Sequence, residues 1–258
     1  KLFYGQGLAQ PLDDLGAQGT VPTHPELLDH LAQKLVASDW SLKAVQREIM
    51  RSATYRQSSR SVRAREVDPE NKLVARWKPR RVEAEVLRDS ILFKSNRLDL
   101  TMGGGIIKKG PTEYIAKDKL REWIKSPRRT VYLPVIRSAG YDGLGAFDFS
   151  DPSVTDGNRR TSTVTPQALF LMNSPLVHES SHQLSEIMLG ATEGATDGDR
   201  VGWMILHLFG RSARPGEIAR AEGFVSSYAA QAGKRAQDKA WAALVRAFFA
   251  SNEFLYIE

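Results

Sequence analysis

The 258-residue chain contains no cysteine, which excludes disulfides, thiolate zinc sites, iron–sulfur clusters, covalent c-type haem attachment and cysteine nucleophiles in one step. A chain without thiols is indifferent to redox compartment, so cysteine usage leaves location open. Long apolar runs are also missing. The longest, Ala168 to Met172 and the alanine-rich stretch from Trp241 to Ala250, fall short of the roughly 18 to 20 residues that cross a bilayer. The opening Lys1-Leu-Phe-Tyr-Gly-Gln-Gly7 carries neither an initiator methionine nor a signal-peptide pattern, so the chain is expected to be a processed or internal piece of a longer polypeptide.

What is present is ordinary for a globular protein: 41% hydrophobic and 26% charged residues, well away from the composition of chains that stay disordered. The length allows one large core or two smaller ones. The net charge of +6 is concentrated in residues 51–100, which hold thirteen Lys or Arg against seven Asp or Glu. Such a patch suits an acidic partner. The run Arg56-Gln-Ser-Ser-Arg-Ser-Val-Arg-Ala-Arg65 has no interleaved aromatics and matches no nucleic-acid reading motif, so nucleic acid is not the expected partner.

Helical spacing dominates. Thr23-His-Pro-Glu26 reads as a capping box leading into Leu27, Leu28, Leu31 and Leu35. Ser41 is placed to cap a second helix with the stripe Leu42, Val45 and Ile49, ending near Tyr55. Pro79 is expected to open a helix through Val82, Val86 and Ile91. Thr130 to Ile136 reads as a short edge strand, and 140–160 as a long polar loop. Thr165-Pro166 and Ser174-Pro175 each signal a helix start. The second of these helices should bury Val177, Ser181, Leu184 and Met188. Gly190 to Asp199 reads as a loop, followed by helices over 201–209, 215–232 and 236–250. The fold class expected is mainly α: a helical, bundle-like domain with long ordered loops and at most a few short strands. Its parts would be a main domain over 1–190, with a loop-rich centre at 101–164, and a helical subdomain over 191–258 packed on it.

Three patterns could carry chemistry. His178-Glu-Ser-Ser-His182 matches His-Glu-x-x-His on a helix, where histidines four apart can share a zinc while Glu179 acts as base on its bound water. A third ligand is not recognisable. Asp148, Asp151 and Asp156 offer hard oxygens to calcium, at a spacing unlike the helix-loop-helix calcium motif. Gly103-Gly-Gly105 before Lys108-Lys109 lacks the glycine-lysine-hydroxyl ending of a phosphate loop. No cofactor is expected in this chain beyond the alternatives of zinc or calcium at these residues. The five tryptophans are scattered and read as core or interface residues.

Several stretches together resemble the C-terminal domain of unknown function of planctomycete cytochrome-c-associated multidomain proteins. They include Thr23-His-Pro-Glu-Leu-Leu28, Ser52-Ala-Thr-Tyr-Arg-Gln-Ser58, Asp68-Pro-Glu-Asn71, Pro79-Arg-Arg-Val-Glu-Ala-Glu85, Thr165-Pro-Gln-Ala-Leu-Phe-Leu-Met-Asn-Ser-Pro175 and Ser251-Asn-Glu-Phe254. The resemblance implies an exported, periplasmic or extracellular polypeptide whose N-terminal part, including a c-type cytochrome domain, is the partner. It marks Arg56, Gln57, Asp68, Asn71, Arg80, Arg81, Thr165, Gln167 and Asn173 as candidate surface or interaction residues. Relatives vary where His178 and His182 stand. The expected function is a non-catalytic structural or interaction module with a protein or glycan partner. A carbohydrate-binding or carbohydrate-processing domain and a zinc hydrolase using residues 178–182 are the alternatives.

Overall fold

The computed structural model describes residues 1–13, 16, 18–106, 125–135, 142–153, 157, 159, 161–231 and 236–257. Asp156, Lys108, Lys109 and Trp123 lie outside the described residues. The fold is mainly α, with one two-stranded sheet among the described residues. Two compact units divide it: unit 1 takes Lys1–Arg81, Val154–Arg159 and Tyr256–Glu258, and unit 2 takes Val82–Ser153 and Arg160–Leu255. The boundary expected at 190/191 falls inside unit 2.

In unit 1, helix α1 (Pro25–Ala37) and helix α2 (Leu42–Arg51) form a hairpin. Glu48 of α2 ties it across to α1 by accepting from His30 at 2.7 Å and Lys34 at 3.1 Å. The expected capping box at α1 does not form. Thr23 is drawn away, its N–H and hydroxyl both donating to the Leu8 carbonyl, and His24 becomes the N-cap without a side-chain bond to the helix. Ser41 does cap α2, accepting from the Ala44 N–H. The helix stops at Arg51 instead of Tyr55 because the Ser52 hydroxyl takes the Ile49 carbonyl and accepts from the Tyr55 N–H, closing a turn. Helix α3 (Val62–Val67) is likewise capped by Ser61. An aromatic cluster forms the centre of the unit: Tyr55 meets Phe3, Tyr4 and Trp77 edge-on at 5.4 to 6.0 Å between centroids, and Arg80 lies over the Trp77 ring.

Pro79 opens no helix. Arg80–Arg81 is strand β1, paired antiparallel with strand β2 (Tyr256–Ile257) in the register Arg80↔Ile257 and Arg81↔Tyr256. Proline biases its neighbourhood toward extended backbone, and the pairing partner lies at the far end of the chain, out of reach of any local pattern. Helix α4 therefore starts at Ala84 and runs to Lys94.

In unit 2, the described part of the expected Thr130–Ile136 strand, residues 130–135, is not a strand. Thr130–Tyr132 is a 3-10 turn, because the Asp89 carboxylate takes both the N–H and the hydroxyl of Thr130 and bends the chain there. Arg88 of α4, buried, fastens the same segment by donating to the carbonyls of Ser126 and Arg128 and to the Thr130 hydroxyl. The described part of the 140–160 loop is packed: helix α5 (Asp142–Gly145) leads to buried Phe147, which meets Phe170 edge-on. Gly143 is required there, since a Cβ would stand 2.5 Å from the Phe170 ring.

The rest of unit 2 is a bundle: α6 (Thr165–Asn173), α7 (Pro175–Ala191), α8 (Asp197–Phe209), α9 (Pro215–Gln231) and α10 (Ala236–Phe249), followed by the single turn α11 (Asn252–Leu255). Helix α10 is its axis. It packs on both α7 and α9 and buries Ala240 to Val245 almost without interruption, with Trp241 and Phe249 fully enclosed. The predicted stripe of α7 is buried against it: Val177, Ser181, Leu184 and Met188 are all fully enclosed. Each such aliphatic side chain contributes about 1.5–3 kcal/mol by leaving water. In place of the loop expected up to Asp199, a capping box between Thr196 and Asp199 opens α8. Gly210 ends it in the left-handed conformation, φ 70°. The two ends of unit 2 meet, the Val82 N–H donating to the Leu255 carbonyl at 2.8 Å.

Candidate functional site

The His-Glu-x-x-His residues lie on the surface of α7, beside its buried stripe. The His178 ring bonds the Met172 carbonyl through Nε2 at 2.8 Å. Glu179 accepts from Arg97 at 2.6 Å, while a second Arg97 nitrogen donates to the buried Ser180 hydroxyl at 3.0 Å. His182 is exposed. Arg97 and the Met172 carbonyl thus hold two of the three motif side chains, and among the described residues no three His, Asp or Glu side chains converge as a metal site.

The loop acids are separately employed. Asp148, at φ 58°, accepts from the N–H and hydroxyl of Ser162, both at 2.8 Å. Asp151 caps the Ser153 N–H. The glycine turn after Thr101 directs carbonyls rather than amides at its charged neighbour: Arg128 takes the oxygens of Thr101, Gly103 and Gly104. The Gly103 N–H is given to the Tyr132 hydroxyl.

Asp68, Asn71 and Gln167 are buried, not surface residues. Asp68 closes the turn after α3 by accepting from the N–H groups of Lys72 and Leu73. Asn71, 2% exposed and at φ 58°, holds Arg76 by both backbone groups. Arg76 itself was not singled out by the sequence, yet its guanidinium gathers the carbonyls of Ala64, Asp68 and Pro69. Gln167 fastens Ala146 and Ser162. Arg56, Thr165 and Asn173 are exposed, whereas Gln57, Arg80 and Arg81 are half-buried. Arg80 is spent on the Leu2 carbonyl and Trp77. Several charges of the basic 51–100 segment are therefore internal ties.

Sequence reasoning missed two surfaces. The first is the α1–α2 hairpin, in which no residue is buried. Leu27, Leu28, Val36, Leu42 and Met50 are exposed along it, and Trp40 at its tip is 69% exposed. Asp39 and Trp40 stand at φ 52° and 57°, a left-handed pair that costs L-residues about 1–2 kcal/mol each. The amphipathic stripe was legible, but its lack of cover was not.

The second is a cavity of about 310 Å³ between α8, α9 and α10, walled by Phe209, Phe224, Leu244 and Phe248. Arg211 stands at its rim and binds two carboxylates at once, Glu217 at 2.7 and 2.8 Å and Glu253 at 2.6 and 2.7 Å. The Arg211 guanidinium, with the Arg214 N–H, holds the Glu217 carboxyl down at about 2. A carboxyl ionised at neutral pH cannot protonate a leaving group, so Glu217 does not supply the general acid of glycoside hydrolysis.

With that geometry in place, the chain belongs to the family described as PSD1, a protein of unknown function (DUF1553), whose model matches residues 1–225. No curated protein and no solved structure matches it. No helix among the described residues is long and apolar enough to cross a membrane.

Proposed function

We propose that the chain is a non-catalytic interaction module of an exported, periplasmic or extracellular polypeptide, and that the open face of the α1–α2 hairpin is where it docks. The carrying observation is that hairpin: apolar side chains left in water along both helices, with Trp40 presented at a tip whose backbone conformation costs free energy. Large exposed apolar side chains beside an exposed tryptophan are the composition of an interface centre. Covering one of them contributes roughly 1.5–3 kcal/mol, and the same burial would offset the cost of the left-handed tip.

The partner is the N-terminal part of the same polypeptide, with the c-type cytochrome domain that the family resemblance implies. Arg47, Arg51 and Arg56, exposed on and after α2, favour an acidic rim on that partner. The module contributes docking and no haem chemistry of its own.

Hydrogen exchange tests this by comparing the isolated chain with the longer polypeptide. Amides of residues 25–51 should exchange at least about 10-fold more slowly in the longer form, and Trp40→Ala with Leu42→Glu should abolish that protection. Equal exchange of these helices in both forms would overturn the reading.

A further inference from the structure

The cavity of unit 2 has features of a binding site that the hairpin reading does not use. Its volume, about 310 Å³, lies at the lower end of the range for small-ligand sites. Ile205, Phe209, Phe224, Leu244 and Phe248 give it an apolar wall. Phe209 and Phe248 meet edge-to-face at 5.7 Å, with buried Ile205, one turn before Phe209 on α8, lining the same cavity and Phe249, next to Phe248 on α10, enclosed in the core. Phe224 is 39% exposed at the mouth, and Tyr228, one turn along α9, sits 5.9 Å from it ring to ring. Together they extend the apolar surface outward along the helix. That shape suits a narrow hydrocarbon or aromatic body with one end in the cavity.

The charges at the mouth define the other end of the ligand. Arg211 binds both Glu217 and Glu253, Arg214 acts on Glu217, and Arg220 lines the same cavity. Arg211 engages all four oxygens of the two glutamates. Arg220 is exposed, lines the cavity and has no hydrogen-bond or ion-pair partner among the described residues. The donor left at the mouth is cationic, and it stands beside an apolar pocket.

We infer that the cavity between α8, α9 and α10 binds an amphipathic carboxylate, its apolar body against Phe209, Phe224 and Phe248 and its carboxylate on Arg220. A charge-assisted Arg–carboxylate bond at the mouth gives orientation as well as affinity. The Arg211 clamp acts as a fixed wall, joining α9 to α11 so that the mouth keeps its shape.

Calorimetric titration of the full chain with three probes of one chain length tests this: decanoate, decyltrimethylammonium and decanol, each below its micelle concentration. Decanoate should bind saturably with one-to-one stoichiometry, and decyltrimethylammonium should not. Arg220→Gln, an exposed substitution that leaves the core intact, should weaken decanoate by about 10-fold and leave decanol unchanged. Phe224→Ala should weaken both. The proposal is overturned by absence of saturable decanoate binding, by equal binding of the cationic probe, or by an Arg220→Gln protein that binds decanoate as tightly as the parent. Circular dichroism of each variant verifies that the fold is kept.

Discussion

Asn71 is the residue at which local backbone and side-chain effects separate most cleanly. Its Nδ2 donates to the Arg76 carbonyl at 2.9 Å, its Oδ1 accepts from the Arg76 N–H at 3.2 Å, and its own carbonyl accepts from Gln6. Asn71→Ala removes both side-chain bonds from a buried place, about 1 kcal/mol each, and puts a Cβ into the left-handed region that asparagine tolerates, about 1 kcal/mol more. The sum is about 3 kcal/mol. Asn71→Gly loses the same two bonds without the backbone cost, so about 2 kcal/mol. Because the chain has two units, a single unfolding midpoint is the wrong observable. Native-state hydrogen exchange over residues 61–77 reads the local cost, with α7 and α10 as an internal reference. Exchange should quicken roughly 150-fold for alanine and roughly 30-fold for glycine. Equal effects of the two substitutions would refute the backbone part. Less than about 3-fold for both would refute the claim that Asn71 holds this loop.

Leu184→Ala, in the contact of α7 with α10, should cost about 2–5 kcal/mol of unit 2 stability by guanidinium unfolding. For Glu217 the folded value of about 2 lies below the ordinary 4.5, so its stabilisation is present above about pH 4.5 and is lost as pH falls toward 2. After solvent screening it is worth about 1 kcal/mol, read as a difference in melting between the parent and Arg211→Met that vanishes in acid. Zinc content of tag-free protein, compared with His178→Ala/His182→Ala, should stay far below one per chain; roughly one zinc per chain, lost in the variant, would restore the hydrolase alternative. Thr196→Ala should destabilise α8 by about 1 kcal/mol, read as faster hydrogen exchange of its first-turn amides.

The helices of unit 2 were legible because each carries its own periodicity and start signal. Val177, Leu184 and Met188 announce a buried face without reference to any partner. The misreadings share one cause, which is a distant group overriding a local preference. Leu8 takes Thr23 from its capping box, Tyr256–Ile257 turn Arg80–Arg81 into a strand, and Asp89 bends Thr130 out of an extended run. The site was less legible than the fold. Asp68 and Gln167 look like surface recognition residues in sequence, since hydrogen-bonding groups that satisfy the protein's own backbone have the same chemistry as groups that recognise a ligand. The cavity left no local signal, because Phe209, Phe224 and Phe248 sit on three helices at ordinary core spacing.

The β1–β2 pairing and the Val82–Leu255 hydrogen bond have a consequence for assembly. Val82–Leu255, which is unit 2 apart from the short return Val154–Arg159, is spliced in as an insert between Arg81 and Tyr256 of a host, unit 1, and those two points are adjacent. During synthesis the bundle can fold as soon as α10 is free, whereas the host unit gains its last strand only after the whole insert has been made. Shortening the chain by its last few residues would therefore leave the nearby bundle whole and unfasten Arg80 and Arg81, far back in the sequence.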